Sequence, residues 1–266
     1  RVWYGSAAAS EYHDMDWLTT QRRQNEDVHF RSFTNDQTIL VLAGPKARAV
    51  LSACARGDWS VGAFPWLSVR ECTVGFAPAT VLGISFSGEL AYEIHVPNSS
   101  LYAAYLALRE AGEKYGLKLF GARAVDSLRM EMGFLHWKAD LTTEFDPVET
   151  GLERFVNLDK GAFTGKSALL ARQAAGPQRK LVTLKLDAPH APAHPGASLM
   201  KDGRVVGTIT SGAYGYRVGL NLAYGFVAPD LAQCGAAMQL DLCGDYVGAE
   251  VIKPSPYDPH FERMRS

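Results

Sequence analysis

The residues best suited to chemistry lie in two short stretches of the sequence. In the first, SFSGELAYEIHVP (85–97), Glu89 directly follows a predicted turn at Ser87-Gly88 between two strands. A carboxylate at such a turn can accept a pair of N–H bonds from a heterocycle that carries an amino group. It can equally be a solvated turn carboxylate, and the residue types alone leave both interpretations open. Glu93 alternates with apolar neighbours and is predicted to face outward.

The second stretch, GARAVDSLRMEMGFLHWKADL (121–141), begins like an amphipathic helix and ends in aromatic, basic and acidic side chains. Asp126 and Arg129 are three residues apart and are predicted to form a surface ion pair. Gly133 is predicted to end the helix. The rings that follow, including Trp137, either join the core or form the wall of a pocket for a flat ligand. The predicted apolar stripe of the helix consists of Ala124, Val125, Leu128 and Met132.

Composition and charge narrow the classes of partner. The 266 residues are 47% hydrophobic and 21% charged, with a net charge of −1. A nearly neutral chain gives no global field for nucleic acid or an anionic membrane surface, so a small ligand is expected instead. No apolar run approaches the roughly 20 residues that span a bilayer. The four cysteines form no C-x-x-C pair and join no histidine cluster, so they are expected as free thiols without a metal site.

The order of predicted elements indicates an α+β fold. Between residues 37 and 121 the order is strand, helix, strand, strand, helix, strand, which is typical of a ferredoxin-like unit that closes with a strand at 117–121. A helix, a strand at 154–159 and a helix at 165–175 follow. Beyond a linker at 176–180 only strands are predicted, and Asp202-Gly203 is expected to form a type I′ hairpin turn. This region therefore predicts a small C-terminal β-barrel.

Five segments, in order, resemble the glycine-cleavage T-protein (aminomethyltransferase) family. The sequences of residues 126–141 and of the closing segment SPYDPHFERMR (255–265) are most similar to the folate-binding C-terminal region of dimethylglycine and sarcosine dehydrogenases. The resemblance implies a clover-leaf fold, with residues 1–176 as a partial folate-binding region and 177–266 as a β-barrel domain. The five segments are LAGPKARAVL (42–51), ISFSGELAYEIHVP (84–97), ARAVDSLRMEMGFLHWKADLT (122–142), PVETGLERFVNLDKGAFTGKSAL (147–169) and DGRVVGTITSGAYG (202–215).

The resemblance also implies a reaction and a set of site residues. Tetrahydrofolate would accept a one-carbon unit from an iminium or aminomethyl group derived from an N-methyl amine, giving 5,10-methylenetetrahydrofolate. On this basis Glu89 would hold the pterin edge, and Asp126, Trp137 and Tyr257 would contribute to the folate site. The family's catalytic aspartate is expected on a segment upstream of this chain, so no catalytic residue and no metal ligand are assigned within it.

Departures from the family pattern indicate which branch the chain resembles. T-proteins have an arginine where this sequence has Val125, and its loss favours the dehydrogenase branch over a reaction with a lipoyl carrier. Because the segment that carries the family's catalytic aspartate is expected upstream, the chain is also expected to be N-terminally truncated, with FAD only in a missing flavin domain or subunit. The alternatives are a glycine-cleavage aminomethyltransferase, another folate-dependent demethylase, and a non-catalytic regulatory relative. The expected compartment is the cytoplasm or the mitochondrial matrix.

Overall fold

The computed structural model describes residues 2–189 and 191–266. The chain forms two compact units, of which the first comprises the residues up to Phe120 together with Phe261–Ser266. The second comprises Gly121–His260. Neither unit ends at the predicted linker around residue 176, and the assignment of functional domains to 1–176 and 177–266 stays a prediction.

The first unit contains a four-stranded antiparallel sheet with helices packed on one face. The strand order is β1-β4-β3-β2. The core between sheet and helices includes Leu51, Val81 and Ile94, each of which is fully buried. Burying each such side chain contributes about 1.5–3 kcal/mol, which makes this core the main source of the unit's stability. The elements are α1 (Glu11–Gln21), β1 (Gln37–Ala43), α2 (Ala47–Cys54), β2 (Val69–Val74), β3 (Ala77–Leu82), β4 (Ala91–Pro97) and α3 (Leu101–Glu113).

The predicted strand at 117–121 is wrong, because these residues have no strand conformation. The backbone turns at Gly116, whose φ is 75°, and returns Leu117 to the core beside α3. A Cβ added to Gly112 would lie 2.6 Å from the Leu117 Cβ, so the glycine makes room for this return. Leu117 therefore packs against the helix, and the chain beyond it is not aligned beside β1.

In its described residues, the second unit combines three α-helices with a closed six-stranded barrel of order β10-β5-β8-β7-β6-β9. Asp202 and Gly203 have φ values of 50° and 74° between β6 and β7, which confirms the predicted hairpin turn. The elements are α4 (Ala122–Glu131), α5 (Pro147–Thr150), α6 (Lys166–Ala175), β5 (Lys180–Leu186), β6 (Ser198–Lys201), β7 (Arg204–Gly215), β8 (Leu220–Val227), β9 (Ala237–Leu242) and β10 (Asp245–Ile252).

The strand predicted at 154–159 is also wrong. A short 3-10 helix, Glu153–Phe155, occupies its first part. The side chain of Asn157 then accepts a hydrogen bond from the backbone N–H of Asp159 at 2.9 Å. Such a side-chain turn gives the backbone an alternative to a strand ladder, which the apolar pattern of the segment does not reveal.

The α+β class and the C-terminal barrel predicted from the sequence are confirmed. In the part of the chain that the structure describes, no helix is both long and apolar enough to cross a bilayer. The same residues contain no group of three or more histidine, cysteine or acidic side chains arranged to hold a metal ion.

Candidate functional site

Glu89 lies in the connection between β3 and β4 of the first unit. The preceding strand, β3, ends at Leu82, so the two strands are joined by an eight-residue connection that is longer than the predicted turn at Ser87-Gly88. In it the Ser85 hydroxyl accepts from the Gly88 N–H at 3.1 Å, and the Ser87 hydroxyl accepts from the Glu89 N–H at 3.3 Å. Gly88 has a φ of 77°, which a residue with a side chain rarely adopts. These bonds fix the backbone that presents the Glu89 carboxylate.

The Glu89 side chain is only 15% exposed, which disfavours the interpretation of a solvated turn carboxylate. Its Oε2 atom is 3.9 Å from Nη1 of Arg263, a residue of the C-terminal segment in the same unit. Glu93, in contrast, is 32% exposed and its carboxylate contacts the His95 ring at 3.3 Å. The two glutamates of the stretch therefore have different surroundings.

Helix α4 of the second unit carries an unexpected buried face. Its buried residues are Ser127, Arg129, Met130 and Glu131. The predicted apolar stripe is therefore wrong in part, because Ala124 is exposed and Val125 and Leu128 are only half-buried. Polar side chains can be buried here because each has a partner. For example, the Ser127 hydroxyl donates to the Tyr214 carbonyl at 2.6 Å.

Arg129 and Asp140 form a buried ion pair beside α4. Their side chains are 5% and 0% exposed, and Arg129 Nη1 is 2.9 Å from Asp140 Oδ2. The predicted pair between Arg129 and Asp126 also forms, at 3.1 Å, but only Asp126 is at the surface, where its side chain is 53% exposed. The predicted surface pair is thus the outer end of a buried network.

Trp137 lies in a tight loop that follows the helix end predicted at Gly133. Gly133 has a φ of 72°, and the Gly133 and Phe134 N–H groups bond back to the last turn of α4, which confirms the predicted helix end. The indole Nε1 of Trp137 is buried and donates to no acceptor among the residues that the structure describes. An unpaired buried donor costs about 1–3 kcal/mol, so this N–H group is a candidate for a ligand contact.

Tyr257 is held by a second buried ion pair on the same helix. Its N–H group donates to the Glu131 carbonyl at 3.1 Å, and its ring lies 3.7 Å from the Arg217 guanidinium carbon. The Arg217 Nε group is paired with the Glu131 carboxylate, which is 0% exposed. Glu131 also accepts from the Arg217 N–H at 2.6 Å. Tyr257 is therefore fixed to α4 through Glu131 and Arg217.

The structure thus links three of the four predicted site residues, Asp126, Trp137 and Tyr257, to one helix of one unit, and it places Glu89 in the other unit. Sequence reasoning missed Asp140, Glu131 and Arg217. The spacing of Asp126 and Arg129 indicated that Arg129 is paired, but no pattern in the sequence indicated that it is buried.

Two family models match the chain, and the second of them describes a C-terminal barrel domain, in agreement with the closed barrel of the second unit. The GCVT N-terminal domain model matches residues 1–160, and the glycine cleavage T-protein C-terminal barrel domain model matches residues 179–258. The chain therefore belongs to the glycine cleavage T-protein family, as the sequence segments indicated.

Individual relatives agree with this assignment. Mitochondrial dimethylglycine dehydrogenase of Homo sapiens is 34% identical over 93% of this chain, and mitochondrial sarcosine dehydrogenase of Homo sapiens is 31% identical over 98% of it. In each case the chain spans 29% of the relative's length. The crystal structure of glycine cleavage system aminomethyltransferase T from Bartonella henselae has a TM-score of 0.75 and 26% identity, and the match covers 84% of this chain and 60% of that one. The chain is thus of the aminomethyltransferase type and related to these dehydrogenases.

Proposed function

We propose that this chain binds tetrahydrofolate and is the one-carbon-transfer portion of an N-methyl amine dehydrogenase of the dimethylglycine or sarcosine type. Such a dehydrogenase would use FAD, held outside the residues of this chain. The observation that carries the proposal is Glu89, a largely buried carboxylate on a rigid connection in a chain of the T-protein family. A carboxylate has about four acceptor positions and can accept N–H groups of a ligand in addition to those of the protein.

The side chains of the second unit fit the same ligand class. Trp137 offers a ring and an unpaired buried indole N–H, and Asp126 offers a half-exposed carboxylate. The Tyr257 ring is held in place by the Arg217 guanidinium. Flat rings with donor and acceptor edges, as in a pterin and an aminobenzoyl group, are the ligands that such side chains bind. We propose that Glu89, Asp126, Trp137 and Tyr257 all contact the bound folate.

The chemistry of the proposed transfer balances without a further reactant. The folate supplies two nitrogens that together bond the methylene carbon of an iminium, and their two hydrogens leave on the amine nitrogen as an ammonium product. The role of the protein is to bind the folate, orient it and exclude water, because hydrolysis of the same iminium releases formaldehyde instead. With the full-length protein we expect 5,10-methylenetetrahydrofolate when tetrahydrofolate is present and formaldehyde when it is omitted.

The binding role of Glu89 is tested by titrating the full-length protein with tetrahydrofolate. We expect Glu89→Gln to raise the Kd at least tenfold, which corresponds to about 1.4 kcal/mol. A change below about threefold, or 0.7 kcal/mol, refutes the pterin-edge role. Glu93→Gln is the matched comparison, since it removes a carboxylate of the same stretch. If Glu93→Gln weakens binding and Glu89→Gln does not, the assignment of Glu89 is wrong.

A second candidate function, the aminomethyltransferase reaction of glycine cleavage, is favoured by the similarity to the Bartonella henselae enzyme. Val125 argues against it, because the resemblance places an arginine at this half-buried position. Measurement of ammonia release from an aminomethyl-lipoyl carrier separates the two candidates. Release comparable to turnover of an N-methyl amine would favour the glycine-cleavage reaction.

A further inference from the structure

The loop at residues 134–141 is built around one buried carboxylate, that of Asp140, which is fully shielded from solvent. Its Oδ2 atom accepts from the His136 N–H and from Arg129 Nη1, both at 2.9 Å. Its Oδ1 atom accepts from the hydroxyls of Thr210 and Ser211, both at 2.6 Å. A cation, an amide and two hydroxyls therefore satisfy this carboxylate, and they join the loop to strand β7 of the barrel.

Arg129 connects this network to the start of the loop at Phe134 and to the predicted site residue Asp126 on α4. Its Nη1 group also donates to the Phe134 carbonyl at 3.0 Å, where the loop begins. Its Nε group donates to the half-exposed Asp126 carboxylate at 3.1 Å. A single guanidinium, held by Asp140, thus sets the position of Asp126 and the start of the loop.

The tip of the loop is strained and carries Trp137. Lys138, which follows it, has a φ of 66°, although it has a side chain. The Lys138 N–H donates to the Leu141 carbonyl at 2.6 Å, and the His136 carbonyl accepts from the Asp140 and Leu141 N–H groups. A residue at such a φ persists only when the surrounding contacts over-determine it. The side-chain contacts of Asp140, together with these backbone bonds, hold the loop in this conformation.

We propose that Asp140 is a positioning residue for ligand binding, which acts through Arg129 and the loop on Trp137 and Asp126. The proposal rests on the proposed folate function and deepens it. The Asp140 carboxylate touches no ligand. Its negative charge holds Arg129 and the loop in the one arrangement that presents the indole ring and the Asp126 carboxylate together. Loss of that charge leaves Arg129 without its buried partner, so the loop relaxes.

The test compares two buried carboxylates of the second unit in the full-length protein. Asp140→Asn keeps the side-chain shape, and we expect it to weaken tetrahydrofolate binding about tenfold, or 1.4 kcal/mol. Glu149→Gln is the matched control, because Glu149 is also buried and paired with an arginine, Arg179, at 3.4 Å, but its carboxylate belongs to the capping box of α5. Equal weakening by both variants would indicate a general loss of structure and overturn the positioning role.

A double-mutant cycle separates positioning from stability. In a Trp137→Phe background, Asp140→Asn should weaken binding by clearly less than tenfold, because one of the two contacts through which it acts is already altered. Independent, multiplying effects would overturn the proposal.

If Asp140→Asn does not fold, Ser211→Ala removes one hydrogen bond from the carboxylate and one from Arg129 while keeping the ion pair. It should weaken binding about threefold, and unchanged binding would overturn the proposal.

The outcomes also distinguish this proposal from the function on which it rests. Absence of tetrahydrofolate binding by the wild-type protein refutes the proposed function itself. Wild-type binding that Asp140→Asn leaves unchanged refutes only the positioning role.

Discussion

The ion pair between Glu131 and Arg217 offers a test of how the second unit is stabilised. Arg217→Met removes the cation and leaves the Glu131 carboxylate, which is 0% exposed, with the backbone N–H groups of residues 217 and 218 as its donors among the described residues. Removal of one partner of a buried ion pair costs about 3–5 kcal/mol. The variant also loses the stacking on Tyr257 and the bond from Nη2 to the Leu128 carbonyl, so we expect the upper part of this range.

The assay is urea unfolding of the full-length protein, combined with hydrogen exchange of the Val218 amide, which donates to Glu131 at 3.3 Å. Arg172→Met is the matched control, since Arg172 forms an ion pair of 2.8 Å with Asp146 but is 46% exposed. Surface pairs contribute about 0–1 kcal/mol, so the control should lose no more than that.

A loss of stability in Arg217→Met no larger than that in Arg172→Met would refute the stabilising role of the buried pair. A second variant checks the cause. In the Arg217→Met background, Glu131→Met should restore part of the lost stability, because a buried pair replaced by apolar side chains leaves no uncompensated charge. If the double variant is less stable than the single one, the orphaned carboxylate is not the source of the loss.

Two further predictions concern packing and thiol reactivity. Gly212→Ala should destabilise the barrel by about 1–3 kcal/mol in thermal unfolding, because the added Cβ would lie 2.9 Å from the Ala193 carbonyl carbon. Gly161→Ala is the control, and it should be nearly neutral because the space around Gly161 is open. Burial raises the pKa of the Cys54 thiol to about 11, so at pH 8 only about one thiol in a thousand is ionised. Alkylation of Cys54 should therefore be about a hundredfold slower than that of the exposed Cys234 and should accelerate with pH up to about 11, as peptide mass spectrometry would show. Equal rates at pH 8 would contradict the buried environment.

Local sequence patterns correctly predicted the turns and helix ends whose conformation depends on the φ preferences of a few neighbouring residues. The hairpin at Asp202-Gly203 forms because both residues tolerate positive φ, and the helix of the second stretch ends at Gly133 for the same reason. The strands predicted from strand-like patterns at 117–121 and 154–159 do not form. A strand requires a neighbouring backbone, and in these segments the return of Leu117 to the core and the turn at Asn157 took precedence.

The sequence by itself determined the α+β class, the barrel, the family and four candidate ligand-contacting residues. It could not determine the burial of Arg129, Glu131 and Asp140, because charged residues on a helix are expected to face water. Burial of a charge is favourable only where tertiary structure supplies its partners. Those partners, Ser211 on β7 and Arg217 after it, lie more than 60 residues away along the chain. Only the folded barrel brings them to α4, and with them the contacts that hold Trp137 and Tyr257.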